Sequence, residues 1–397
     1  MRTRPMGSRA VALAAVAALG LAACSSSSKS STGSSSSTGS SGSSSGGSSG
    51  AALKLGFFGA LTGANAQLGI NIENGEKLAI AQYNASNPKQ QVTVDPFDSQ
   101  GDPSQANNGA TKLINDKVVA VIGPAFSGES AAADPIFESA KIPNISASAT
   151  GTSLAQNGWK YFHRVVADDS LQGPADADYL AKTLHQTSVA VIDDNSTYGK
   201  GLGDAVRGQL SKDGAKDVLD DNVDPNGADY GSTVNKVLAS NATAVFYGGY
   251  YDAAGRLIKQ LRAAGYKGVF MSGDGSEDDR FISDAGGAPA EGAYLSCACA
   301  DVTSQASAAS FVSAYKSMFN TAPAIYSAES YDATNFVLAA IKAGNTTPVA
   351  INTYMASNSW KGVTKTVKFL PNGNVAGGTI FVYKVENGKI VQIGTTS

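Results

Sequence analysis

The stretch Val118 to Ser130, VVAVIGPAFSGES, has the residue types and spacing to bind an anion. An apolar run ending in a glycine-punctuated turn and a small hydroxyl residue reads as a buried parallel strand feeding a helix N-terminus. The amides of a first helical turn lack intrahelical acceptors and the helix dipole is positive there. Such a turn therefore holds an anion without a cationic side chain. Ser127 sits where its hydroxyl adds a donor; the plainer alternative is that it only caps the helix. Gly123-x-x-x-x-Gly128-Glu129-Ser130 also has the length of a phosphate-binding P-loop. Glutamate stands where that loop needs lysine and would repel the phosphates, which argues against a nucleotide site.

Other chemistries have few residues to work with. His163 and His185 are the only histidines, so a histidine-rich metal site cannot be built and histidine-based nucleophilic catalysis has little support. No G-x-S-x-G elbow occurs in the folded part. Cys297 and Cys299 are the cysteines beyond the leader, and on a strand they would point to opposite faces, which disfavours a bridge. Two thiols or a strained loop disulfide are expected rather than a metal, for want of further soft ligands. No cofactor is expected. At Asp102-Pro103 a capping aspartate precedes a first-turn proline, a better explanation of Asp102 than catalysis.

The elements that position these residues follow from the whole chain of 397 residues, 42% apolar and 16% charged, long enough for two domains. Met1 to Ala23 joins an arginine-bearing start to an apolar run, as in a secretory signal, and ends at Leu21-Ala22-Ala23-Cys24. That ending resembles a bacterial lipobox, which makes Cys24 the expected lipidated N-terminus; the alternative is a free or disulfide-bonded cysteine. Removing Arg2, Arg4 and Arg9 with the leader takes the formal charge from −3 to −6, and no basic patch remains, so nucleic acid is not an expected partner. Ser25 to Gly50, almost entirely serine and glycine, reads as a flexible tether spanning about 25 to 30 Å.

From Leu53, short apolar runs alternate with amphipathic segments, the pattern of a doubly wound α/β protein. Strands are expected at 53–58, 91–98, 118–123 and 143–147, with helices at 68–84, 103–116 and 130–140. A second set places strands at 188–193, 218–223, 244–248 and 268–272, and helices at 172–187, 199–212, 229–240 and 252–264. Two like domains are expected. Helices at 305–319 and 327–343 follow, then strand-like pieces at 364–370 and 378–386.

A series of motifs now carries a resemblance: Gly59-Ala60-Leu61-Thr62-Gly63, Asp102-Pro103, Val121-Ile122-Gly123 with Ser127, Ile145 to Thr150 (ISASAT), Gln172-Gly173-Pro174, Tyr198-Gly199-Lys200-Gly201, Tyr247-Gly248-Gly249-Tyr250 and Phe270 to Gly275 (FMSGDG). In this order, from Leu53 to the C-terminus, the chain resembles the branched-chain amino acid binding proteins that serve ABC importers. The resemblance implies a type I periplasmic-binding fold, two doubly wound Rossmann-like lobes joined by three hinge crossovers near Val165-Val166, Ala293-Tyr294 and Val367-Lys368. Lobe I would comprise 51–165 with 295–366, and lobe II 166–294 with 367–397. Carried over by position, Ser127, Thr150 and the main chain at Ser148 grip the ligand carboxylate, Tyr250 and Asp274 hold its ammonium, and Tyr198, Leu68 and Phe126 line the pocket. Packing and turn formation are the plain alternatives for Tyr250 and Asp274.

The departures bear on the ligand. Asp274 replaces the longer glutamate of leucine-binding relatives, Leu68 stands where an aromatic is frequent, and the lobe I disulfide of those relatives has no cysteines here. The expected protein is non-enzymatic, monomeric, lipid-anchored outside the cell membrane, and delivers an amino acid, apolar or branched-chain, to an ABC permease. Relatives that take amides, urea or aromatic acids leave other solutes open. The alternatives are a sensor that presents its ligand to a membrane receptor and, less favoured, a serine hydrolase.

Overall fold

The computed structural model describes residues 51–396. The expectations for the leader, Cys24 and the tether lie outside the described residues. The first half runs β1 (Leu53–Gly59), α1 (Ala66–Ala85), β2 (Val92–Asp98), α2 (Ala106–Asn115), β3 (Ala120–Ile122), α3 (Ser127–Ala140), β4 (Asn144–Ser146) and β5 (Phe162–Arg164). Its strands form one parallel sheet in the order β2-β1-β3-β4-β5. Strand β3 lies between β1 and β4 and is buried throughout, which is why it reads as an unbroken apolar run. Asp102 caps the turn before α2, accepting from the Ser104 amide at 2.8 Å. Asp98 accepts from the Leu61 and Thr62 amides at 2.8 and 3.2 Å, tying the Gly59–Gly63 loop to β2.

The second half runs α4 (Asp169–Asp178), β6 (Ser188–Asp193), α5 (Thr197–Lys212), β7 (Lys216–Asn222), α6 (Gly231–Ser240), β8 (Ala244–Gly248), α7 (Tyr251–Ala263), β9 (Val269–Ser272), α8 (Asp279–Ala285) and β10 (Tyr294–Cys297). Then come α9 (Ala309–Phe319), α10 (Ser327–Lys342), α11 (Pro348–Ser357), β11 (Trp360–Lys361), β12 (Thr366–Val367), β13 (Phe381–Glu386) and β14 (Lys389–Thr395). The second sheet has the order β14-β13-β10-β9-β8-β6-β7, parallel from β10 to β7 and antiparallel at β13 and β14. Helix α10 returns to the first lobe and lies along α1, with Ser330 Oγ donating to the Ile72 carbonyl at 2.6 Å. A Cβ on Gly75 would lie 2.2 Å from the Ser327 carbonyl, so glycine sets how closely α1 and α10 approach. The result is two doubly wound α/β lobes joined by three crossovers.

Two crossovers differ from expectation. The first lies between β5 and α4, at residues 165–168. The second was placed at Ala293-Tyr294, but Tyr294–Cys297 form β10, which pairs with β9 and β13, so the chain leaves the second sheet only after Cys297. The third was placed at Val367-Lys368, yet the Gly373 carbonyl still accepts from the Arg164 amide at 3.0 Å and the Ala376 amide donates to the Lys368 carbonyl at 2.8 Å. The chain leaves the first lobe between Ala376 and β13. Strand ladders decide lobe membership, and motif spacing carries no record of them. Of the two states expected for the cysteine pair the structure has the disulfide, with Cys297 and Cys299 bridged at a Cα–Cα distance of 5.0 Å. Cys299 lies beyond the end of β10, where strand alternation no longer separates the two side chains.

Arg164 ties the lobe junction together. It is fully buried, and its guanidinium pairs with Asp168 at 2.8 Å while donating to the Ala149 and Gly151 carbonyls at 3.1 and 2.9 Å and to Asn374 Oδ1 at 2.7 Å. One side chain thereby holds the first crossover, the Ser148–Gly151 loop and the segment before the third crossover. Arg164→Leu removes the counter-charge of the buried Asp168 carboxylate and a donor to three further acceptors, so urea unfolding should report a loss of about 3 to 5 kcal/mol.

Candidate ligand-binding cleft

One small cavity between the lobes is lined by Leu68, Ala125, Phe126, Ser127 and Ser148 from the first lobe and by Tyr198, Tyr250, Asp274 and Gly275 from the second. Tyr326, at the start of α10, closes it. Seven of the eight residues expected at a ligand thus face one space. Thr150 is absent from the lining; its carbonyl accepts from the Asp169 amide at 3.0 Å, and its buried hydroxyl lies beside the Asp169 carboxyl.

Helix α3 begins at Ser127, three residues earlier than the sequence suggested, so Ser127 lies in the first turn. Its Oγ accepts from the Gly151 amide at 3.0 Å, which leaves the hydroxyl proton free to be donated elsewhere. Glu129, fully buried in the same turn, accepts from the Phe126 amide at 3.3 Å. Burial pushes its carboxyl up to about 8. At neutral pH it is protonated, so it does not cancel the positive end of the helix.

On the opposite wall, Asp274 is 3% exposed. Its Oδ1 accepts from the Tyr198 hydroxyl at 2.7 Å, its Oδ2 accepts from the Tyr326 hydroxyl, and the Tyr198 oxygen accepts from the Gly275 amide at 3.0 Å. Tyr198 stands in the first turn of α5, where a Cβ on Gly199 would lie 2.4 Å from the Gly248 carbonyl. Only a glycine lets α5 approach β8 so closely, and that approach delivers the tyrosine ring to the cleft. Tyr250 precedes α7, its ring centroid 5.1 Å from Phe126 across the cleft and 5.1 Å from Tyr198 beside it. Asp169 is also fully buried nearby; burial followed by the charge of Asp274 raises it well above the carboxylate range, with the adjacent Thr150 hydroxyl acting the other way.

The lobes are in contact around this space. Phe126 meets Tyr250, the Gln67 amide donates to the Tyr251 hydroxyl at 3.2 Å, and Tyr326 reaches Asp274. The enclosed volume is about 10 Å³, room for roughly one water. Uptake of anything larger requires the lobes to part.

Tyr326 and Asp169 escaped the sequence reading. Tyr326 has a φ of 64°, a left-handed conformation unusual for a tyrosine, just ahead of α10. Pro323 followed by a helical run gave a turn signal there but nothing about where the ring points. His163 is buried on β5 with Nε2 2.7 Å from Asn352 Oδ1, and burial lowers it to about 4. Among the described residues, the one group of metal-type ligands within reach of each other is Glu277, Cys297 and Cys299, and its sulfurs are bridged.

The sequence model of the periplasmic binding protein family matches residues 52–389. The chain belongs to that family. It is 34% identical over 240 residues to an amino acid binding protein of Pseudomonas aeruginosa, covering 60% of this chain and 64% of that protein. It is 34% identical over 242 residues to a leucine-specific-binding protein of Salmonella typhimurium, covering 60% of this chain and 65% of that one. The match spans just under two thirds of those relatives' own length. The structure is similar, with a TM-score of 0.79 and 28% identity, to a branched-chain amino acid transporter substrate binding protein of Streptococcus pneumoniae solved with isoleucine, over 86% of this chain and 100% of that one.

Glu129 gives stability a pH dependence of definite sign. Its ordinary value is 4.5 and its folded value about 8, so the folded state holds the proton more tightly. That contribution is complete below about 4.5 and is lost as pH rises through 8. Melting temperature should fall across this window, and Glu129→Gln, which keeps the acceptor oxygen, should flatten that fall. An unchanged profile would place the ionised carboxylate in the native site.

Proposed function

We propose that this chain is an extracytoplasmic solute-binding lipoprotein that captures an amino acid or similar small polar solute between its lobes and delivers it to an ABC importer. The observation that carries the reading is that the N-terminus of α3 with Ser127 and the buried Asp274 carboxylate face the same interlobe cavity from opposite lobes. An anion-binding turn and a carboxylate facing one cavity from opposite walls suit a zwitterion, with its carboxylate at α3 and its ammonium at Asp274. Leu68, Phe126 and Tyr250 supply apolar surface for a side chain, which favours an apolar or branched-chain amino acid. The names of the Pseudomonas, Salmonella and Streptococcus relatives agree with this ligand class. His163 is engaged by Asn352 and does not line the cavity, so the geometry offers no support for the hydrolase reading.

The ligand is to be identified by mass spectrometry of the small molecule that copurifies, and its affinity measured by calorimetry. Asp274→Ala should weaken binding by roughly 2 to 5 kcal/mol, because it leaves a desolvated ammonium unpaired. Ser127→Ala should cost less, roughly 1 to 2 kcal/mol, since the helix amides remain. If Asp274→Asn binds the natural ligand as tightly as the parent, the ligand has no ammonium there.

The anchor has a separate test. Cys24→Ala should release the protein from membranes with its affinity intact, because residues 1–50 precede both sheets. Continued membrane retention would assign the anchor to another segment.

A further inference from the structure

Tyr326 is a wall shared by two spaces. Beyond it lies a second cavity between the lobes, of about 660 Å³. This is the size of an ordinary small-molecule site. Its walls are Gln67 and Asn71 of α1, the segment leading into α10, the start of α8 and the second crossover from Cys299 to Thr303. The two lobes and the segment joining them therefore all contribute.

The lining is strongly acidic. Glu277, Asp278 and Asp279 come from the second lobe, Asp301 from the crossover and Glu329 from the first lobe, with Arg280 the cationic side chain among the lining residues. These groups act on one another, since the Glu277 carboxyl is raised well above the carboxylate range first by burial and then by the charges of Asp278, Asp279, Asp301 and Glu329. Burial and mutual repulsion thus favour the protonated forms of these carboxyls in the closed arrangement, and a cation entering the cavity would favour the ionised ones.

A separate observation concerns Glu329. It is 2% exposed, and its Oε1 is buried without a hydrogen-bond partner. Lys365 and Asp332 both act on it electrostatically, but the Lys365 ammonium is directed to the Val165 carbonyl at 3.2 Å. A buried carboxylate oxygen lacking a donor is costly, and the space it lines is where a donor can come from. A single metal ion fits poorly. Among the described residues no three carboxylates bring oxygens within 4.8 Å of one another, and the volume far exceeds one ion. Acceptors dispersed around a large cavity match a molecule with several N–H donors spaced along it.

We propose that this second cavity binds a small organic polycation with two or more ammonium groups, of the polyamine class, bridging Glu329 of the first lobe to Glu277 of the second and so favouring the closed arrangement. The site is distinct from the solute cavity, with the Tyr326 ring between them, and stands whether or not that cavity takes an amino acid.

The test is titration of the full chain with spermidine at fixed ionic strength, followed by calorimetry and by melting temperature. Saturable binding and a saturable rise in melting temperature are expected. Glu329→Gln and Glu277→Gln should each weaken spermidine binding roughly tenfold or more, and Ser127→Ala should leave it unchanged. Asp279→Asn alters an exposed side chain, with little effect on folding expected; it should weaken binding roughly twofold to fivefold. The proposal is overturned if spermidine produces no saturable signal, if magnesium chloride or sodium chloride reproduces the melting rise, or if folded Glu329→Gln and Asp279→Asn both bind spermidine as the parent does.

Discussion

A single carboxylate held by phenols from opposite lobes organises this molecule. Asp274 belongs to the second lobe and is almost wholly removed from water; Tyr198 of its own lobe and Tyr326 of the other each donate to one of its oxygens. Burying a charge is expensive unless hydrogen bonds replace the lost water, and here half the replacement comes from across the cleft. The closed arrangement is therefore built into the environment of this residue. What surrounds it can be read as means to that end. Glycines 199 and 248 let α5 meet β8 and so aim Tyr198, while the left-handed backbone at Tyr326 turns its ring into the cleft.

The opposite wall solves a different problem. In the proposed zwitterion site the α3 turn presents positive potential without a cation, yet it contains a glutamate. Burial answers this by holding Glu129 protonated at neutral pH, so the carboxyl serves as a neutral bonding partner for its own turn instead of opposing the helix dipole. Arg164 connects this wall to the hinges. Its bonds to the carbonyls of Ala149 and Gly151 fix the loop whose Gly151 amide bonds Ser127, and its bonds to Asp168 and Asn374 fix the neighbouring crossovers. Loop geometry at the cleft and hinge geometry thus share one buried guanidinium.

The parts of this arrangement legible in the sequence are those written in local pattern. The apolar β3 run, the glycine-rich turn before α3, the Asp-Pro cap and the alternation of strands and helices each depend on residues near one another, and the strands from β1 to β9 fall close to their expected places apart from β5. Elements whose existence depends on distant pairing were missed or displaced. Strand β5 is three residues long and is defined by β4. Strand β10 was divided because only its ladders to β9 and β13 assign it to the second sheet. The Cys297–Cys299 bridge, one of the two states expected for that pair, forms because the strand stops at Cys297 and alternation ends there. At the cleft, seven of the eight expected residues line the cavity and Thr150 does not, whereas Tyr326 depends on a left-handed residue between a proline turn and a helix, and Asp169 on a helix that starts three residues before the expected Gln172.

The lobes are expected to close around a zwitterion, and small-angle scattering reads that motion directly. Protein freed of bound solute by unfolding and refolding should show a larger radius of gyration than the same protein with saturating branched-chain amino acids, and the closed value should match that calculated for the arrangement described here. A radius that stays constant while those amino acids raise the melting temperature would show binding without closure and would contradict it.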